Sequence, residues 1–177
     1  PDLGCVGSCV VTDAGDVFIA FNQGALGSLP SDPFNGELVV TTCAYDDCLD
    51  AATWEYWSFP VEDEQYGKPH GDWASLAASG ESVVLTVVSG MNVYAYDCAG
   101  GCAEPGAWQV AEVDTSQAIN ASLPSSPTCS PAWYWPKYVE SALSERGHVA
   151  VYRAQPLCGI APGITNGPYV GRVASTL

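Results

Sequence analysis

Thr42-Cys43-Ala44-Tyr45-Asp46-Asp47-Cys48, followed by Trp54, and Asp97-Cys98-Ala99-Gly100-Gly101-Cys102, followed by Trp108, are two copies of one pattern. In each copy the tryptophan stands six residues after the second cysteine, and the copies lie some 54 residues apart. Two cysteines this close can be bridged only over a tight turn, so each pair reads as a staple on a loop between two strands. Recurrence at such a spacing is the signature of a chain built from repeated supersecondary units.

A second pattern runs alongside the first. Asp13-Ala14-Gly15-Asp16 precedes Val17-Phe18-Ile19-Ala20-Phe21. Ala78-Ser79-Gly80-Glu81 precedes Ser82-Val83-Val84-Leu85-Thr86-Val87, and Glu145-Arg146-Gly147-His148 precedes Val149-Ala150-Val151-Tyr152. Each is a polar turn whose glycine can supply the positive φ of a hairpin, followed by a β-branched or aromatic run. The glycines recur about 65 residues apart. Strands are expected before these turns over residues 9–12, 74–77 and 139–143, into the cysteine loops over 37–42 and 91–96, and out of them over 54–59 and 108–113. In Asn92-Val93-Tyr94-Ala95-Tyr96 the aromatics alternate with smaller residues at the period of a strand. Residues 25–35, 61–72, 115–136 and 156–168 read as connecting loops. The fold class is all-β, with about three repeated antiparallel units over residues 1–177 as one domain; a two-layer β-sandwich is the alternative.

Eight cysteines allow complete pairing. Three pairs are close in sequence, Cys5 with Cys9, Cys43 with Cys48 and Cys98 with Cys102, and Cys129 with Cys158 follows by elimination. Zinc competes for such pairs, but its usual knuckle is Cys-x2-Cys, these gaps are wider, and no histidine stands near them. Disulfides imply an oxidising compartment: secreted, periplasmic or cell-surface. The chain opens Pro1-Asp2-Leu3 and its one methionine is Met91. That start suggests a mature chain cut from a precursor, or a piece of a longer polypeptide.

Twenty acidic residues against five basic ones leave a net charge of −15. A phosphate backbone demands a basic surface, so nucleic acid is excluded as a partner, and anionic membranes are disfavoured. Lys68 is the first basic residue; Lys137, Arg146, Arg153 and Arg172 all fall in the last third. An acidic N-terminal part and a basic-bearing C-terminal part can meet head to tail between copies, and a heterologous contact of that kind builds rings or filaments.

The run Val93-Tyr94-Ala95-Tyr96-Asp97-Cys98, with Cys102 and Trp108 after it and Ser75-Leu76-Ala77-Ala78-Ser79-Gly80 before it, resembles bacterial secreted β-propeller-type repeats with a paired-cysteine loop followed by tryptophan. The likeness is clearest over about residues 38–114. It weakens at the ends: Cys5 and Cys9 lack a tryptophan strand, and no paired-cysteine loop follows Gly147. It implies blade-like sheets, with Trp54 and Trp108 packed between neighbouring sheets, and no particular reaction. Propellers close with about four to eight blades, so three units do not close a ring alone.

No catalytic signature stands out. His70 and His148 read as surface histidines, no Gly-x-Ser-x-Gly elbow occurs, and no cysteine is left over as a nucleophile. Paired carboxylates raise glycoside hydrolysis. Asp13-Ala14-Gly15-Asp16 resembles the Asp-box turn of sialidases, without the serine and threonine that flank it there. Asp46, Asp47 and Asp50, and Glu62-Asp63-Glu64, offer hard oxygen ligands for calcium, but neither set has EF-hand spacing. No other cofactor is indicated. Trp133, Tyr134 and Trp135, in a proline-rich loop, are the candidate binding residues, since aromatic faces stack on sugars or fill a partner's groove. Trp57 and Trp73 are left undecided. Asn120-Ala121-Ser122 is a glycosylation sequon. The expectation is therefore a secreted, disulfide-stapled scaffold or recognition protein that self-associates or binds a protein partner. A lectin-like module using the aromatic loop is the first alternative, and a sialidase-like glycosidase the second.

Overall fold

All three glycine turns close hairpins, and their glycines take the left-handed φ expected of them: +90° at Gly15, +63° at Gly80 and +125° at Gly147. The computed structural model describes residues 7–23, 37–59, 73–89, 92–115, 117–118, 132–158 and 170–176. Around the turns the protein is all-β. The first sheet joins β1 (Gly7–Val11), β2 (Asp16–Gln23), β3 (Glu37–Ala44) and β4 (Glu55–Phe59) in chain order. The second repeats that order with β5 (Trp73–Ser79), β6 (Ser82–Ser89), β7 (Asn92–Cys98) and β8 (Gln109–Asp114). The third pairs β9 (Ala132–Ser144) with β10 (Gly147–Cys158), and β10 with β11 (Val170–Thr176). Every pairing is antiparallel.

The three first hairpins share one register. Ser8 lies opposite Ala20, Ser75 opposite Thr86, and Glu140 opposite Val151; the neighbouring rows match in the same way. Corresponding positions therefore exist in all three sheets. For each sheet, the face bearing Val17, Val83 or His148 is called the leading face. The opposite face, bearing Phe18, Val84 or Val149, is the trailing face.

β6 explains how the sheets stack. Residues 83–88 are buried without a break, the pattern of a strand covered on both sides. On the leading face of its sheet, Val83, Leu85 and Val87 join Phe18, Ala20, Leu38 and Val40 from the trailing face of the first sheet in one core. On the trailing face, Val84 and Ala95 pack with Leu143 of the third sheet. The sheets thus form three layers in chain order, leading face on trailing face at both contacts, and not the two layers of a sandwich. Trp108 fills the first contact: its ring meets Phe18 edge-on at 6.2 Å and Trp57 at 6.5 Å. Trp57, undecided from sequence, is partly buried against this core.

Two local expectations change. Residues 132–136 and 156–158, expected in connecting loops, instead lie in β9 and β10, with Pro136 opposite Ala154 and Pro156 opposite Tyr134. β9 is the edge of its sheet, where a missing N–H costs no ladder bond. β11 was not expected from the sequence. Trp54 occupies the position of Trp108, yet it is only half-buried, because it stands on the leading face of the first sheet and no described sheet covers that face.

This difference is measurable. Trp108→Ala should cost about 3–5 kcal/mol, as for a large core truncation. Trp54→Ala should cost only about 1 kcal/mol, mainly for its hydrogen bond. Urea unfolding of the two variants compares them, and equal losses would contradict the layer order.

Candidate functional site

The cysteine loops are built alike. Cys43 and Cys48 are bridged with Cα atoms 5.4 Å apart, and Cys98 and Cys102 with 5.8 Å. After each bridge comes one 3-10 turn, Ala51–Thr53 or Pro105–Ala107, and then the tryptophan. The indole Nε1–H of Trp54 donates to the Cys48 carbonyl at 3.0 Å, and that of Trp108 to the Cys102 carbonyl at 2.9 Å. The six-residue interval is thus the distance at which one 3-10 turn brings an indole back over the second cysteine. It satisfies a ring N–H that would be costly to bury unpaired.

In the first loop, the Asp50 carboxylate accepts from Ala52 N at 2.9 Å and so caps the 3-10 turn. Asp46 and Asp47 are exposed in the turn before it. Among the described residues no group of three or more His, Cys, Asp or Glu is arranged to hold a metal ion. Cys9 is exposed and unbridged to any described cysteine; its expected partner Cys5 lies outside the described residues. So does Cys129, while Cys158 is opposite Ala132 at the end of the β9–β10 ladder. Trp133, Tyr134 and Trp135 are opposite Leu157, Pro156 and Gln155, so the candidate aromatic loop is a strand in its backbone. Asn120, His70 and Glu62-Asp63-Glu64 lie outside the described residues.

His148 is not a surface histidine. It is buried in the contact between the second and third sheets, where its Nε2 is 2.9 Å from Thr86 Oγ1. Ser141 Oγ donates to Thr86 Oγ1 at 2.6 Å, and Ser141 N donates to Ser75 Oγ at 3.0 Å. Thr86 Oγ1 accepts from Ser141 and has both a proton and a second lone pair to share with Nε2, so it can hydrogen-bond either tautomer of the neutral ring. Burial lowers the His148 pKa and so favours that neutral form; nearby Asp97 opposes the shift. The buried Tyr152 hydroxyl donates to Asp114 Oδ2 across the same contact. Burial, helped by Tyr94, raises the Tyr96 pKa and keeps that hydroxyl protonated. Tyr96 lies in the first contact, whereas His148, Thr86, Ser141, Ser75, Tyr152 and Asp114 form a polar seam that fixes the third sheet on the second.

What the stack leaves uncovered is its two ends. On the trailing side, Phe18 and Val84 are fully buried, but Val149 at the same register position is 37% exposed. Ala20 and Thr86 are fully buried, while Val151 is 45% exposed. At the leading side of the first sheet, Val11 is 53% exposed and Val17, Ile19 and Phe21 are partly exposed; Tyr56 is exposed too, but so is Val110 at the same register position in the second sheet, so Tyr56 does not mark the end of the stack. The positions matching Val17, Ile19 and Phe21, namely Val83, Leu85 and Val87 in the second sheet and His148, Ala150 and Tyr152 in the third, are buried. Among the described residues, the end faces are inner faces with no sheet packed on them. The sequence carried a signal for one of them: Val149-Ala150-Val151-Tyr152 is apolar at every position, like β6, so both its faces expect cover.

Comparison with protein-family models, with curated proteins and with solved structures returns no match. Among the described residues, no helix is long and apolar enough to cross a membrane.

The seam predicts an acid limb in stability. His148 is held below its ordinary 6.5 in the folded chain, so below that pH the unfolded chain binds more protons than the folded one. Stability present above about 6.5 is therefore lost as pH falls through and below it. Thermal unfolding between pH 8 and pH 5 should show a falling Tm. His148→Gln should be less stable at pH 8 but flatter over this range; an unchanged slope would remove His148 as the cause.

Proposed function

We propose that this chain is an extracellular structural or recognition protein, made of blade-like sheets of the bacterial secreted β-propeller type, which self-associates through the open ends of its stack. One observation carries this reading: register positions buried inside the stack are exposed at its trailing end, at Val149 and Val151, and partly exposed at its leading end, at Val17, Ile19 and Phe21. A contiguous apolar sheet face in water favours association, and an interior-type face favours a partner of its own kind.

Three further features support it. Successive sheets repeat the same strand order and stack leading face on trailing face, as blades do. Three sheets fall short of the roughly four to eight that complete a propeller. The paired-cysteine loops are oxidised, which suits a compartment where disulfides persist. A scaffold role is supported by the use of the buried Thr86, Ser141 and His148 groups in the contact between sheets, and by the described end residues Val11, Val17, Ile19, Phe21, Val149 and Val151, which are aliphatic or aromatic.

Sedimentation velocity across a concentration series, with electron microscopy of the largest species, tests this. The expected result is mass rising with concentration to rings or filaments. A single monomer at every concentration and at both low and high sodium chloride would sink the proposal.

A further inference from the structure

We infer that the self-association proposed above, on which this inference rests, is head to tail: the leading face of the first sheet in one copy docks on the trailing face of the third sheet in the next. Both contacts inside the molecule are of this unlike-face kind, and neither joins like to like. Each contact also carries the same cross-link between edge strands. Ser8 Oγ accepts from Leu76 N at 2.9 Å in the first contact, and Ser75 Oγ accepts from Ser141 N at 3.0 Å in the second; the bonds span 68 and 66 residues. Ser8 and Ser75 hold one register position, and Leu76 and Ser141 another.

The ends offer the same pair of groups. Glu140 holds the position of Ser8 and Ser75, is exposed, and lies on the edge strand β9. Its carboxylate accepts a backbone N–H as a hydroxyl does, and more strongly. Cys9 holds the position of Leu76 and Ser141, on the edge strand β1. Docking in the internal register therefore brings the Cys9 N–H of one copy to Glu140 of the next.

Surface chemistry agrees. The apolar trailing face of the first sheet receives an apolar leading face, whereas the second, which carries Thr86, receives His148. The free trailing face presents Val149 and Val151, and the free leading face Val11, Val17, Ile19 and Phe21, so apolar meets apolar. Charge agrees as well. Residues 7–59 contain acidic residues and no Lys or Arg, while Lys137, Arg146, Arg153 and Arg172 all lie in residues 132–176, against only Glu140 and Glu145. Opposite signs speed and orient encounter, and two like ends repel. Repeated head-to-tail contacts generate a ring if the rotation closes and a filament if it does not.

Blocked copies test the inference. Val17→Lys with Ile19→Lys closes the leading end; Val149→Asp with Val151→Asp closes the trailing end. Each altered protein alone should be monomeric by sedimentation velocity and should keep the wild-type circular dichroism. Mixed in equal amounts, the two should form a one-to-one dimer through their remaining faces, and nothing longer. Glu140→Leu should weaken wild-type assembly at least several-fold. If either blocked protein still self-associates, or the mixture yields no dimer, head-to-tail docking is overturned while self-association stands. If wild type is monomeric throughout, self-association itself fails. Should a double variant misfold, Ile19→Lys and Val151→Asp as single changes give the same mixing test.

Discussion

A sheet that is apolar on both faces must be covered twice, and the rest of this structure depends on that constraint at β6. Residues 83–88 put aliphatic side chains and one threonine on both sides of the second sheet. One neighbour can bury only one side, so a stable arrangement needs a sheet before it and a sheet after it. The first and third sheets supply those two covers, and their order along the chain becomes their order in space. This hydrophobic demand is non-directional. It explains why layers form, but not why each sheet sits in one register on the next.

Register comes from polar groups that tolerate no slip. A strand displaced by one residue turns its whole set of side chains to the other face. Between the second and third sheets the penalty is severe. The chain from Ser141 to Thr86 to His148, and the bond from Tyr152 to Asp114, would all be left buried and unpaired. Between the first and second sheets, Trp108 has a comparable part. Its indole is tethered to Cys102 of its own loop while its ring lies against Phe18 and Trp57. The disulfide matters here indirectly. It fixes the loop whose carbonyl orients the indole, and the indole in turn orients the contact.

The repeat, the hairpins and two of the bridges were legible in the sequence because each has a short-range cause. Gly15, Gly80 and Gly147 need only their own φ to announce a turn, and the alternation in residues 92–96 needs only a half-covered strand. The Cys–Trp interval was legible as a recurrence, although its cause, a hydrogen bond reaching back over a 3-10 turn, was not. What could not be read depended on distant parts of the chain. Pro136 argues against a strand unless the strand is known to lie at a sheet edge. His148 looked like a turn residue at the surface until Thr86, 62 residues away, supplied its partner. Trp54 and Trp108 are identical in local context, and only the presence or absence of a covering sheet makes one half-buried and the other core.

That last contrast bears on what the molecule is built to do. If the first sheet were adapted to be a terminal layer, its outward face would be expected to carry charge, as capping units of repeat proteins do. Instead it keeps Val17, Ile19 and Phe21 where the next sheets keep Val83, Leu85, Val87 and His148, Ala150, Tyr152. The charged residues are placed elsewhere: Asp46, Asp47 and Asp50 line the first cysteine loop, and Glu145 and Arg146 tip the β9–β10 hairpin. The leading face of the first sheet is thus left as it would be in the middle of a longer stack, while the trailing face of the third carries Glu140 beside Val149 and Val151. An end that is built like a middle is what the proposed head-to-tail association requires.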